Sequence, residues 1–453
     1  MFALGTAGAT IVAALLLHPR SGHPRSGPTA NQASAFGDDG MLMTARLTST
    51  RILAGAHDQD LAVTITAPQG RAAQRPPLSL AVVIDRSGSM SGEPLQNAKT
   101  AAAKLVTQLD ASDAFSIVTY SSSDETVAPM ARATDANKAA AMAAIAQIAE
   151  DGGTCISCGL VRGANELARS PVLGGVHRIM LISDGQANEG IFDRDQLAEL
   201  ASETASKGTS ISTVGVGLDF DEVTMTRLAD VGRGNYYFVE DTRHLEAMFA
   251  RELGGLAETV AADVRLVLTD RPGVRIEEAY GYPMTRAGDH AIVQISDLRA
   301  GETRKVVLRV HVATRTLGTL DVTALELGWR RVSDGAQRKA TAGVRVEIVD
   351  DEAAVAATID PSAVDAVEQV HTARALEQAT QVYETQGAAA AQEVLHKRVQ
   401  AVRLNKNLSK PMLQRLEAAT SAADGDFAAA PSGGAAGKKA SKASRAKAYE
   451  LVK

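Results

Sequence analysis

An apolar run, Leu78-Ser79-Leu80-Ala81-Val82-Val83-Ile84, leads straight into Asp85-Arg86-Ser87-Gly88-Ser89-Met90. With one small serine as its sole polar member, the run predicts a strand buried on both faces. After it come one carboxylate and two hydroxyls on alternate residues. Gly88 stands between the hydroxyls and lets the backbone turn tightly. Three hard oxygen donors at the carboxyl end of a buried strand suit a hard divalent cation. Mg2+ in particular takes few protein ligands and keeps several waters.

From Leu78 onward the pattern alternates between strand and helix. Helix Pro94–Leu109 has proline in its first turn. Strand Ala114–Tyr120, helix Asp135–Glu150 and the loop Asp151-Gly152-Gly153-Thr154 follow. Helix Cys155–Ala168 precedes strand His177–Ser183, which ends in Asp184-Gly185. Helix Arg194–Lys207, strand Ser210–Gly215, helix Glu222–Val231, strand Tyr236–Val239 and helix His244–Leu256 complete the unit. This alternation predicts an α/β fold over residues 78–257: a Rossmann-like, doubly wound, mostly parallel sheet covered by helices. In such sheets ligands bind at the carboxyl ends of the strands.

The flanks read differently. Residues 41–77 hold period-two stretches, Thr44–Thr48 and Leu61–Thr66, and then a Pro-, Arg- and Gln-rich linker. Strand patterns return over 258–350, in Val264–Thr269, Ile292–Ile295, Lys305–Val312, Thr319–Trp329 and Ala342–Ile348. A two-stranded hairpin is marginal alone. The early strands are therefore expected to join the later ones in an antiparallel β-sandwich, with the α/β unit inserted between them. Residues 360–423 predict a C-terminal helical segment opened by Asp360-Pro361. Residues 424–453 are rich in Ala, Gly, Ser and Lys and read as a disordered basic tail.

Residues 1–40 read as a leader and linker. Phe2–Leu17 carries no charge and has the length of a signal-peptide core, without basic residues before it. A tandem HPRSG repeat follows, and Ala33-Ser34-Ala35 has the small-x-small form of a cleavage site. Export to the periplasm, cell envelope or exterior is expected. Membrane association of the N-terminal segment and cytoplasmic residence are the alternatives. The net charge of -6 and the 4 % aromatic content disfavour a nucleic-acid partner.

The α/β unit supplies two more oxygen donors. Thr154 follows a Gly-Gly turn, and Asp184 ends the strand Ile179-Met180-Leu181-Ile182. In order, DRSGSM, GGT and SDG resemble the metal-ion-dependent adhesion site of von Willebrand factor A domains. The resemblance covers about Leu78 to Leu256, and the five positions Asp85, Ser87, Ser89, Thr154 and Asp184 all match. It implies a bound Mg2+, with Mn2+ or Ca2+ as alternatives. It also implies a protein partner whose Asp or Glu carboxylate completes the coordination, in adhesion or assembly. More loosely, the strands on both sides are similar to those of inter-alpha-trypsin-inhibitor heavy chains and their bacterial relatives. An intracellular scaffold and an RNA-associated protein of the Ro type are the rival classes. An enzyme is not expected, because no histidine lies in the motif segments and no residue is placed as a general base. Arg86, inside the motif, reads as facing an acidic partner.

Cys155 and Cys158 are the only cysteines and open a helix beside Thr154. The spacing leaves several readings: a redox dithiol, half of a zinc site, a local disulfide, or two small residues packing a helix start. In an exported chain, a disulfide there would stiffen or gate the metal loop.

Overall fold

The computed structural model describes residues 33–69, 75–172 and 174–452. Four strands come first: β1 (Ala33–Phe36), β2 (Leu42–Leu47), β3 (Arg51–Leu53) and β4 (Gly55–Thr66). The α/β unit then runs β5 (Leu78–Asp85), α1 (Glu93–Gln108), β6 (Ala114–Tyr120), β7 (Asp124–Arg132), α2 (Asp135–Ala146), α3 (Ile156–Leu167), β8 (Val176–Ser183), α4 (Arg194–Ser206), β9 (Thr209–Val216), α5 (Glu222–Val231), β10 (Arg233–Val239) and α6 (Leu245–Ala257). Strands β11 (Thr259–Thr269), β12 (Val274–Ala279), β13 (Met284–Ala287), β14 (His290–Gln294), β15 (Leu298–Arg299), β16 (Thr303–Thr314), β17 (Gly318–Arg331) and β18 (Gln337–Val349) follow. Helices α7 (Glu352–Ala356), α8 (Pro361–Gln386), α9 (Ala388–Leu404), α10 (Lys410–Ala429) and α11 (Ala435–Val452) close the chain.

The sheet of the α/β unit has the order β10-β9-β8-β5-β6-β7. Its pairs are parallel except for β7, which runs antiparallel to β6. Every residue of β5 is buried, as its Val and Ile content demands of a strand covered on both faces. β5 lies between β6 and β8, so Asp85 and Ser183 end neighbouring strands at the same edge. β7 is a strand absent from the sequence reading. Its half-exposed pattern and Pro129 suit an edge position, where a missing amide costs no ladder bond.

The remaining strands form two sheets, of order β1-β2-β4-β16-β12 and β13-β14-β11-β17-β18-β3. β4 pairs with β16 antiparallel from Gly55–Thr314 to Thr66–Thr303, and β3 pairs with β18. Strands on either side of the insertion thus share sheets, and Leu61, Val63, Ile65, Leu266, Leu308 and Leu327 fill the common core. β12 and β13 also lie outside the sequence reading; β12 alternates over only a few residues and β13 is largely exposed.

Arg178 on β8 joins the units. It is buried and contacts Glu252 on α6 at 3.5 Å and Asp297 before β15 at 3.2 Å. α8, capped by Asp360, lays Ala363, Ala366, Val367 and Val370 against Ala62 and Val307 on the outer face of a sandwich sheet.

Two terminal readings change. The leader assignment over 1–40 overlaps β1, in which Ala33 and Ala35 are buried and paired to β2; its apolar part lies outside the described residues. A disordered basic tail was expected over 424–453; residues 424–452 are ordered. α10 continues to Ala429, and α11 buries Ala440, Ala448 and Leu451. Its cations find partners: Lys438 with Asp219, Lys439 with Glu240, and Arg445 with Glu222 and Glu384. Lys442 lies 3.4 Å from the ring centroid of Phe220. Composition alone misses this, because a small apolar face becomes decisive only when a complementary acidic surface is folded beside it. Among the described residues no helix is long and apolar enough to cross a membrane.

Candidate metal centre

Asp85 is fully buried, and both its oxygens are engaged. Oδ1 accepts the Ser87 amide at 2.9 Å, closing a tight turn onto the motif. Oδ2 accepts the Ser183 hydroxyl at 2.8 Å. That turn brings Ser87 Oγ within 3.1 Å of Ser89 Oγ. Ser89, on the exposed rim, donates to Asp184 Oδ1 at 2.7 Å.

Thr154 arrives from the loop before α3. Gly88 N donates to Gly152 O at 3.2 Å, and Asp151 N to Arg86 O at 2.8 Å, docking that loop on the motif turn. Gly152 has φ +57, and a Cβ there would lie 2.4 Å from Ser122 Oγ; the Gly-Gly turn is thus a steric requirement of the approach. Thr154 N donates to Asn188 Oδ1 at 2.8 Å, and Thr154 O accepts from Asn188 N at 3.1 Å. A Cβ on Gly185 would stand 3.4 Å from Thr154 Oγ1 and 3.5 Å from Ser89 Oγ. The Thr154 and Ser89 hydroxyls therefore converge on one spot beside Asp184. Asp85, Ser87, Ser89, Thr154 and Asp184 are gathered at one end of the sheet.

Burial raises the Asp85 carboxyl above its ordinary range, against the hydrogen bonds from Ser87 and Ser183. Burial, together with the charge of Asp85, pushes Asp184 up to about 6, against the Ser89 hydroxyl. Among the described residues neither carboxylate has a Lys or Arg ion-pair partner. Arg86, expected to face a partner, turns to Glu125 at 3.5 Å and Asp151 at 3.6 Å. Two carboxylates at a largely buried site, three hydroxyls and no protein cation make a donor set that fits a hard divalent ion. No cluster of three or more His, Cys, Asp or Glu side chains occurs among the described residues, so the hydroxyls are essential to any such site.

Ser183 and Asn188 escaped the sequence reading. A serine at the end of a buried strand was the available signal for Ser183; nothing local marks Asn188. Cys155 and Cys158 form a disulfide, with Cα atoms 5.3 Å apart, which removes the zinc and packing readings. His177, the second residue of β8, meets Gly174 O at 3.1 Å, at the opposite end of that strand from Ser183. A cavity of about 790 Å³ between α5, Tyr282, Met284 and Arg445 contains none of the five residues.

A doubly wound, mostly parallel sheet covered by helices, with hydroxyls and carboxylates gathered at its carboxyl end, defines an α/β module. The chain contains a von Willebrand factor type A domain: the sequence model of that domain matches residues 79–251. The uncharacterized protein YfbK of Escherichia coli is 31 % identical over 214 residues, which is 47 % of this chain and 37 % of that protein. A human inter-alpha-trypsin inhibitor heavy chain is 30 % identical over 172 residues, 36 % of this chain and 18 % of that one. The chain thus spans less than two-thirds of the length of these curated relatives. Among solved structures, a von Willebrand factor type A protein from Catenulispora acidiphila superposes with a TM-score of 0.66 at 16 % identity, covering 87 % of this chain and 98 % of that one. The ArnB paralog VWA2 from Sulfolobus acidocaldarius gives 0.59 at 15 % identity, covering 90 % and 99 %. These two likenesses extend over the flanking strands and helices and concern the fold alone.

Proposed function

We propose that this protein binds protein partners through a divalent cation, Mg2+, held by Asp85, Ser87, Ser89, Thr154 and Asp184, and that it is not an enzyme. Domains of this family often mediate metal-dependent protein interactions. The observation that carries the reading is the contact chain from buried Ser87 through exposed Ser89 to half-buried Asp184, backed by a buried Asp85 with no Lys or Arg partner among the described residues. When bound, the ion supplies an incompletely neutralised charge with room for an acidic oxygen from outside. Asp85 orients the motif turn through the Ser87 amide and anchors the site. Ser87 and Ser89 present hydroxyl oxygens. Thr154 and Asp184 stand at the mouth, where an Asp or Glu of the partner would approach. The Cys155–Cys158 disulfide supports an oxidising compartment, in keeping with export.

The test is affinity capture with the wild-type chain and with Asp85→Ala, in Mg2+ and in EDTA. Partners lost in both controls are the ligands sought; identical capture throughout rejects the reading.

A further inference from the structure

We infer that the Cys155–Cys158 disulfide is a thiol-exchange site, opened by a dithiol reductant at Cys158, and that its state sets how firmly the cation is held. The inference rests on the metal reading above and adds a regulation to it.

One short segment connects the disulfide to both mouth ligands. It starts at Asp184, passes Asn188 and ends at Ile191. Its middle holds Thr154 from both sides, through Asn188 N to Thr154 O and Thr154 N to Asn188 Oδ1. Its end is tied to α3, where Ile191 N donates to Ser157 Oγ at 3.0 Å. Between these lies Gly190, at φ +64, pressed so closely on the disulfide that a Cβ would come 2.3 Å from Cys155 Sγ and 3.6 Å from Cys158 Sγ. Cys155 is fully buried, with Ser157 Oγ at 3.4 Å and the Cys158 amide at 3.3 Å from its sulfur. Cys158 is half-buried. An external thiolate therefore reaches Cys158, and Cys155 leaves.

In the first step the reductant's thiolate bonds to Cys158 Sγ. The Cys155–Cys158 bond breaks, and its electron pair goes to Cys155 Sγ, which takes up a proton. The reductant's second thiolate then attacks its own sulfur in the mixed disulfide and frees Cys158, which is protonated in turn. Two electrons and two protons pass to the protein, and the dithiol departs as its disulfide. Two thiols cannot remain at bonding distance. Cys155 Sγ is enclosed, so the space must come from Gly190 and its neighbours. Displacing them loosens the hold on Thr154 and shifts the chain leaving Asp184.

The experiment titrates the full chain with Mg2+ alone, before and after treatment with dithiothreitol and its removal without air. Thiols are counted, and folding is checked by circular dichroism. The reduced chain should bind Mg2+ about tenfold or more weakly, the range seen when groups that orient metal ligands are removed. Cys158→Ser should match the reduced chain and ignore dithiothreitol. An independent readout is thiol labelling by a disulfide reagent: Cys158 in Cys155→Ser should react about tenfold faster than Cys155 in Cys158→Ser. Equal Mg2+ affinity in both redox states, with binding that Asp85→Ala abolishes, overturns the inference and leaves the metal reading standing. Absence of Mg2+ binding in either state overturns both.

Discussion

The Ser183 hydroxyl donates to Asp85 Oδ2 at 2.8 Å across two neighbouring strands, while Asp85 Oδ1 is held by the Ser87 amide. The carboxylate of the candidate centre is oriented by a residue separated from it by 98 positions. The Ser183 side chain sets the Asp85 carboxylate plane and also accepts from the Gly185 amide at 3.4 Å. Ser183→Ala should weaken Mg2+ binding about ten- to a hundredfold. The metal-free fold should lose about 1–3 kcal/mol, because one oxygen of a buried carboxyl is left without its donor. Calorimetric Mg2+ titration and urea unfolding in EDTA separate the two effects.

On the proposed reading, protons and Mg2+ compete at Asp184. Its carboxyl is raised to about 6 in the fold, against about 3.9 in an unfolded chain. Between these values the folded, metal-free chain holds more protons, so its stability in EDTA should fall as pH rises from about 4 to about 6, then level off. Mg2+ affinity should run the other way, dropping by up to about tenfold per unit of pH below about 6. Asp184→Asn should flatten the stability profile. Mg2+ titrations and thermal melts across this range check both slopes; parallel slopes would contradict the assignment.

Arg178 is a buried cation between the α/β unit and the sandwich. Glu252 also accepts from Ser212 Oγ at 2.6 Å and Asn235 Nδ2 at 3.0 Å, and from the Tyr237 hydroxyl. Burial works to raise Glu252, but the Arg178 charge and these donors outweigh it and hold the carboxyl below its ordinary range. Arg178→Met removes the ion-pair partner of buried Glu252 and of Asp297. It should cost about 3–5 kcal/mol, read as a lowered urea midpoint.

Leu451 lies 1 % exposed on α11, in the stretch that composition marks as disordered. Leu451→Ala should cost about 2–5 kcal/mol, as in any well-packed core. Amide exchange over α11 should be slow in the wild type and accelerate in the variant. Fast exchange in both would mean that the helix does not dock.

The strand-to-motif junction, the alternation that follows it and the five oxygen donors were legible because each depends on spacing along one element. An unbroken apolar run has one stable use beside helices, and Asp-x-Ser-x-Ser places its oxygens through a single local turn. The sharing of sheets between β4 and β16 was legible for a similar reason: strands too few to form a core must find others. Ser183, Asn188 and the seat of Gly190 against Cys155 were not legible. Each depends on the register between elements far apart in sequence, and a short polar residue has no period to betray its partner. The tail was misread on the same ground: alanine and lysine favour neither order nor disorder until a surface with Phe220, Asp219 and Glu222 stands opposite. The sequence alone determined which atoms could bind a cation and which elements carry them. Tertiary structure decided how the carboxylates are oriented and that the disulfide lies against the segment that runs from Asp184 past Thr154, because only folding brings distant donors within hydrogen-bond range.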